Sequence, residues 1–308
     1  MPTAIFEPNQ TAALPAQLCN ATPLKAVMQD HDSLWKKAID AFLFECIAFC
    51  WPTAFALVDC SVTPIFLEQE LAPASGARRR RVDKLAQLVA KSGDKLILHI
   101  EVQHRYDSNF ERRMFSYLCR LQEKYTCPVH SLAIPADNRR HWRPSSISLP
   151  ILDGEIQLRY PIFKLLDYDL QAKDLLGSEN PFAVFAAIDL LARHVRHDTG
   201  ANLALKCRAM QAVFQHTDWP NRTTWLLLSL LDQIIELPVE LQSQFEDQMH
   251  SMDRRRCNMD IDMELMPRFA EKIRDKAREE GLSQGHQQGR AEGVPTCFAY
   301  ESLSLRRG

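Results

Sequence analysis

The sequence predicts an α/β fold: a mixed sheet flanked by helices, followed by a helical C-terminal region. Three observations predict it. Periodicity in the first half runs helix, three strand-like segments, helix, strand, the order of a layered α/β or α+β domain. From about residue 180 onward, apolar residues recur at helical spacing through several successive segments. The third is the segment KLILHIEVQHR, residues 95–105, where one face stays apolar while the other turns polar.

The elements follow in order. Residues 1 to about 30 are rich in Pro, Thr and Ala without clear period and read as a loose tail. HDSLWKKAIDAFLFECIAFC reads as a helix capped by Asp32 or Ser33, with an apolar stripe of Leu34, Trp35, Ile39, Phe42, Leu43, Cys46 and Ile47, ended by Pro52. VTPIFLEQEL is a candidate strand, and RRRRVDKLAQLVA a second. KSGD marks a turn. KLILHIEVQ is the third strand: Leu96, Leu98, Ile100 and Val102 share one face, and Ile97, His99, Glu101 and Gln103 the other. DSNFERRMFSYLCRLQEKY is an amphipathic helix capped by Asp107 or Ser108, PVHSLAI a fourth strand, and EIQLRYPIFKLLDY further strand-like material. Four helical segments follow, the last leading into Gly281, Gly285, Gly289 and Gly293, a polar tail weakened by about 1 kcal/mol per glycine. The expected divisions are a tail at 1–30, an α/β domain at 31–165, a helical region at 166–250 and a C-terminal helix and glycine-repeat tail at 251–308.

Bulk composition narrows the functional classes. The 308 residues are 46% hydrophobic with a formal charge of −2, so any nucleic-acid contact must come from local basic patches. Nine cysteines are present. None forms a C-x-x-C pair, which reads as reduced thiols in a cytoplasmic protein. Cys46 and Cys50, one turn apart, read as buried core thiols rather than metal ligands. Residues 1–10 carry no secretory pattern. The longest apolar segments are broken by Glu45, Pro52 and Asp232, so no membrane span is expected.

The chemistry is expected at the hairpin around KSGD. A three-residue loop, Ser92-Gly93-Asp94, pairs Lys91 with Lys95 and sets Asp83 opposite Gln103 and diagonal to Glu101. Directly opposed side chains lie about 5 Å apart and diagonal ones about 7–8 Å. All three then share one face, unless a two-residue loop turns Asp83 to the other. Two converging carboxylates suit Mg2+ or Mn2+, which takes oxygen ligands from one or two carboxylates plus substrate phosphate. That is the logic of metal-dependent phosphodiester hydrolysis. Gln103 has no useful basicity and is expected to orient water. His99 reads as an inner histidine with satisfied bonds. His104 and Arg105 stand where a strand end meets phosphate, and Arg78–Arg81, Arg112, Arg113, Arg120, Arg139, Arg140 and Arg143 form basic clusters suited to a DNA backbone. His194-x-x-His197 reads as surface.

Asp83, then Glu101-x-Gln103 after a short turn, framed by helices, resembles the PD-(D/E)XK nuclease superfamily. HDSLWKKAI, FLEQEL, RRRVDKLAQLV, the segment from ILHIEVQHR to SLAI and the C-terminal glycine repeats resemble more narrowly the PD-(D/E)XK family transposases, also called recombination-promoting nucleases or YhgA-like putative transposases. The resemblance covers roughly residues 31–140 and weakens through the helical region. It implies a restriction-endonuclease-like core, DNA as partner and Mg2+ or Mn2+ as cofactor, with Asp83 and Glu101 as metal-binding acids. Gln103 takes the place of the signature lysine. Glu45 sits near a first-helix acid that some members use as an additional ligand, and Glu70 matches a glutamate before the arginine run. Arg79, Arg81, Arg105, Arg112 and Arg113 are the expected DNA contacts. Lys84 and the arginine-rich segment 75–81 depart from the pattern, as does the final VPTCFAYESLSLRRG. Homo-oligomerisation is left open. The competing expectations are a catalytically inactive DNA-binding protein derived from a mobile element and a helical interaction protein using the core as scaffold.

Overall fold

The computed structural model describes residues 24–71 and 80–253. The expectations for Arg78 and Arg79, for residues 1–23 and for the terminal glycine repeat lie outside the described residues.

The chain enters on α1 (Leu24–Ala41), bends at Phe42, and continues as α2 (Leu43–Cys50) and α3 (Pro52–Phe55). The expected stripe is buried throughout, with Leu34, Trp35, Ile39, Phe42, Leu43, Cys46 and Ile47 at 4% exposure or less. The start differs from expectation. Residues 24–30 are helical rather than tail, because LKAVMQD is made largely of good helix formers without Pro or Gly. Asp32 therefore lies inside the helix and pairs with Lys36 one turn on, at 2.6 Å.

The expected first strand is two short ones, β1 (Ile65–Phe66) and β2 (Glu70–Leu71), and the second is likewise divided into β3 (Arg80–Arg81) and β4 (Lys84–Val89). β5 (Lys95–Gln103), α4 (Phe110–Lys124) and β6 (Val129–Pro135) follow as expected. Among the described residues the main sheet has the order β1-β4-β5-β6. The first two pairings are antiparallel and β5–β6 is parallel; the α4 crossover makes the parallel step possible. β2 and β3 form a separate small ladder. The cap of α4 also differs: Asn109 occupies that position without a side-chain bond, while Asp107 accepts from the Asn109 N–H just before it.

The hairpin register is shifted from expectation. Val89, not Lys91, pairs with Lys95, and Lys84 pairs with Ile100. The turn holds five residues, closed by Ala90 N–H donating to the Asp94 carbonyl at 2.8 Å. Its first residues are drawn elsewhere: Ala90 bridges Val58, and Lys91 N–H donates to Leu57 O. A two-residue shift preserves which face each side chain takes. Asp83 consequently lies opposite Glu101 rather than Gln103.

The two faces of the sheet pack differently. Leu85 and Ile97 meet Tyr117 and Leu121 of α4. Ala86, Leu88, Leu98, Ile100 and Val102 join the main core with Leu132 and Ile134 of β6. After the β7 (Ser146–Ile151) and β8 (Gly154–Arg159) hairpin come a 3-10 turn, α5 (Ala172–Leu175), α6 (Pro181–Val195), α7 (Thr199–Gln215), α8 (Asn221–Ile234) and α9 (Val239–Asp253). Every residue of α6 from 181 to 190 is buried. Asn180 caps it by accepting from the N–H groups of Phe182 and Ala183, and its amide donates to Glu45 O at 2.9 Å. Sheet, α1 and α6–α8 share one apolar cluster. Among the described residues no helix is long and apolar enough to cross a membrane.

Candidate functional site

The odd-numbered face of β5 ends against the residue preceding β4, and this brings Asp83 and Glu101 together. Asp83 N–H donates to Glu101 Oε1 at 2.9 Å, and Asp83 Oδ2 accepts from Val102 N–H at 2.9 Å. Each carboxylate thus takes a backbone hydrogen of the other's strand, which fixes both. Glu101 is 3% exposed. Its Oε1 also meets His99 Nε2 at 3.1 Å, and His99 Nδ1 lies 3.0 Å from Ser131 Oγ on β6. A carboxylate can only accept, so Nε2 carries the hydrogen. His99 is the inner, satisfied histidine expected, and it turns an edge to Tyr117.

Two cations flank the pair. Lys36 Nζ, reaching over from α1, lies 2.8 Å from Asp83 Oδ1. Burial lowers its pKa, but Asp83 and Asp32 more than offset this and the net shift is upward. Arg113 of α4 lies 4.0 Å from Glu101 Oε2, donates to Asp107 Oδ2 at 2.6 Å, and donates to Gln103 Oε1. The Gln103 amide nitrogen donates to the Arg105 carbonyl at 2.8 Å. Both ends of Gln103 are therefore held by protein groups. Even with these partners Asp83 remains an unfavourable charge. Its carboxyl is pushed up to about 6, first by burial and then by the neighbouring Glu101 carboxylate.

Other expected residues lie elsewhere. Glu45 is not brought to the pair. Its carbonyl is tied to Asn180, and its charge bears on Cys60, near the turn end of the hairpin. Lys84, next to Asp83 in the chain, turns to the opposite face and pairs with Asp40. Arg81 donates to Gln69 at 3.0 Å, and Glu70 is held in the β2–β3 ladder opposite it. Arg105 and Arg112 are exposed. Arg140 and Arg143 pair with Asp169 and Asp167, and Arg139 stacks over Tyr106 at 4.1 Å. His104 is turned inward, edge-on to Trp35, with Nε2 buried and unbonded. Burial lowers its pKa to about 4, so it does not meet phosphate as a cation. His194 is exposed and bonds Asp169 at 2.7 Å. Cys46 and Cys50 are buried, and burial raises the Cys50 thiol.

In comparisons with known proteins, no family model, curated protein or solved structure matches the chain. The site is therefore read from its own chemistry. Among the described residues no group of three or more His, Cys, Asp or Glu side chains is placed to hold a metal ion. Among the described residues a closed protein cage is thus not formed. Two fixed carboxylates are the donor type that Mg2+ or Mn2+ takes together with water and phosphate. Sequence reasoning missed Lys36 and Asp107; only the i,i+4 spacing of Asp32 and Lys36 hinted at the first.

Proposed function

We propose that the chain is a metal-dependent DNA endonuclease with the PD-(D/E)XK, restriction-endonuclease-like core its sequence resembles, and of the transposase, recombination-promoting type. The observation that carries this reading is the buried Asp83–Glu101 pair on adjoining strands, with the Asp83 carboxyl raised to about 6. Such a pair is held at a cost that a divalent cation relieves. When bound, Mg2+ or Mn2+ supplies a Lewis acid and lowers the pKa of its water. Asp83 and Glu101 would hold it; His99 and the Asp83 N–H fix the Glu101 carboxylate, the Val102 N–H fixes that of Asp83, and Gln103 orients Arg113. The reaction balances simply. A water oxygen bonds to phosphorus, the phosphorus–sugar oxygen bond breaks, the water proton leaves to solvent, and the departing oxygen takes a proton from water.

Plasmid nicking with Mg2+ and with Mn2+ tests this. Asp83→Asn and Glu101→Gln are each expected to lower the rate at least a hundredfold, about 3 kcal/mol of barrier. Wild-type protein that binds duplex in a salt-sensitive way but never cuts it supports the second reading, a catalytically inactive DNA-binding protein. One observation favours that alternative: Gln103, the expected water-orienting group, has both ends of its amide engaged.

A further inference from the structure

We infer that Lys36 is the ammonium of this site, donating to a phosphoryl oxygen of the strand being cut. The inference rests on the nuclease reading above and names a residue that reading does not use.

Position is the first argument. Lys36 Nζ lies 2.8 Å from Asp83 Oδ1, the Asp83 oxygen that the Val102 backbone does not hold. It stands at the border of the pair, its side chain 27% exposed against 4% for Glu101. The ammonium is thus at the carboxylates and still within reach of solvent. Helix α1 fixes it there. Leu34, Trp35, Ala38 and Ile39 bury on either side of it, so Lys36 projects from the rim of the packed stripe toward the strand ends.

Elimination is the second argument. Several other basic side chains near the pair are held by neighbouring groups. Lys84 is bound to Asp40 on the far face. Arg113 is held by Asp107 and Gln103. His104 is buried against Trp35 and stays neutral. A lysine ammonium carries three hydrogens. Among the described residues, Asp83 and Asp32 are its partners, which leaves one hydrogen to offer. Asp32 has a positioning role. It holds the ammonium at 2.6 Å through Oδ2, so the lysine keeps a partner when Asp83 turns its charge to a metal ion. In the transition state negative charge grows on the phosphoryl oxygens, and a fixed donor there is worth about a hundredfold or more in rate.

The test compares Lys36→Met and Lys36→Arg with wild type in three measurements. In nicking at saturating duplex, Lys36→Met is expected to fall about a hundredfold, with Lys36→Arg recovering part and KM for DNA changing less than about threefold. In Mn2+ titration calorimetry, Lys36→Met is expected to bind as well as wild type or more tightly. In the third, amine-reactive labelling of wild type with Ca2+ in place of Mg2+, bound duplex is expected to protect Lys36 but not the exposed Lys91 of the hairpin turn. The labelling keeps the question open to refutation even if a variant fails to fold. Lys36→Met nicking at the wild-type rate, or equal labelling of Lys36 with and without duplex, overturns this inference and leaves the nuclease reading intact. Loss of Mn2+ binding in Lys36→Met also overturns it, because the lysine then only props Asp83. Wild-type protein that cuts under neither metal overturns both readings.

Discussion

Asp83 carries a charge that folding disfavours, and pH reveals it. Its carboxyl moves from the ordinary 3.8 up to about 6 on burial beside Glu101. Between those values the folded chain binds a proton that the unfolded chain has released. The stability this group contributes is therefore full below about pH 4 and is lost as pH rises through about 6. Two pKa units correspond to about 3 kcal/mol. Asp83→Asn keeps an acceptor for the Val102 N–H and removes the charge. In metal-free buffer near neutral pH it is expected to unfold at higher urea than wild type, by about 2 kcal/mol, with the gap closing by about pH 4. Added Mn2+ should reverse the order, since only wild type then gains binding energy. Urea titrations at two pH values, each with and without Mn2+, read all of this. Glu101 behaves differently. It accepts from Asp83 N–H and His99 Nε2, so Glu101→Ala strands two buried donors and is expected to cost about 3 kcal/mol by urea unfolding.

The elements show why some of the fold was legible in the sequence and some was not. β5 and α4 carry nine and fifteen residues of unbroken period, and both were readable. The odd face of β5 likewise announced Glu101. The register was not readable, because its ends are set by Ala90 bridging Val58 and Lys91 N–H reaching Leu57 O, contacts to a segment with no period of its own. β1 and β2 read as one strand because two-residue strands leave no alternation to see. Lys36 has no periodic or motif signal of its own in the sequence; the strand end that α1 crosses brings it to Asp83. Gly93 turns the hairpin at φ 89, and a Cβ there would meet nothing within 4 Å. Gly93→Ala is therefore expected to cost only the left-handed backbone penalty, about 1–2 kcal/mol by thermal or urea unfolding, with the fold unchanged. Asp189 on α6 accepts from Trp35 Nε1 and from Arg193 and pairs with His31. Burial alone would raise its carboxyl, but Arg193 and the His31 hydrogen bond hold it well below the usual range. Asp189→Ala removes the acceptor that joins α6 to α1 and leaves Arg193 short of its partner, at a cost of about 3 kcal/mol.

At the scale of the molecule, the helical region and the sheet stand or fall together. Leu98, Ile100, Leu132 and Ile134 from the strands share one core with Trp35 of α1, Phe185 of α6 and Leu228 of α8. Phe185 is fully buried and edge-on to Trp35, with ring centroids 5.3 Å apart. That packs it from α6, the helix that also carries Asp189, against the helix that carries Lys36. Phe185→Ala removes a large side chain from close packing and is expected to cost about 3–5 kcal/mol. Because the cluster is continuous, the loss should appear everywhere at once. Urea unfolding followed by tryptophan fluorescence and by far-UV circular dichroism should shift by the same amount and remain a single transition. Amide exchange at Ile100 and Leu132, in the middle of the sheet, should quicken as much as exchange along α6. Separate transitions for helices and sheet would mean two independent cores, and residues 31–165 would then hold Asp83 and Glu101 in place unaided. A single transition means that the helical region helps to set the site, by pressing α1, and with it Lys36, onto the strand ends.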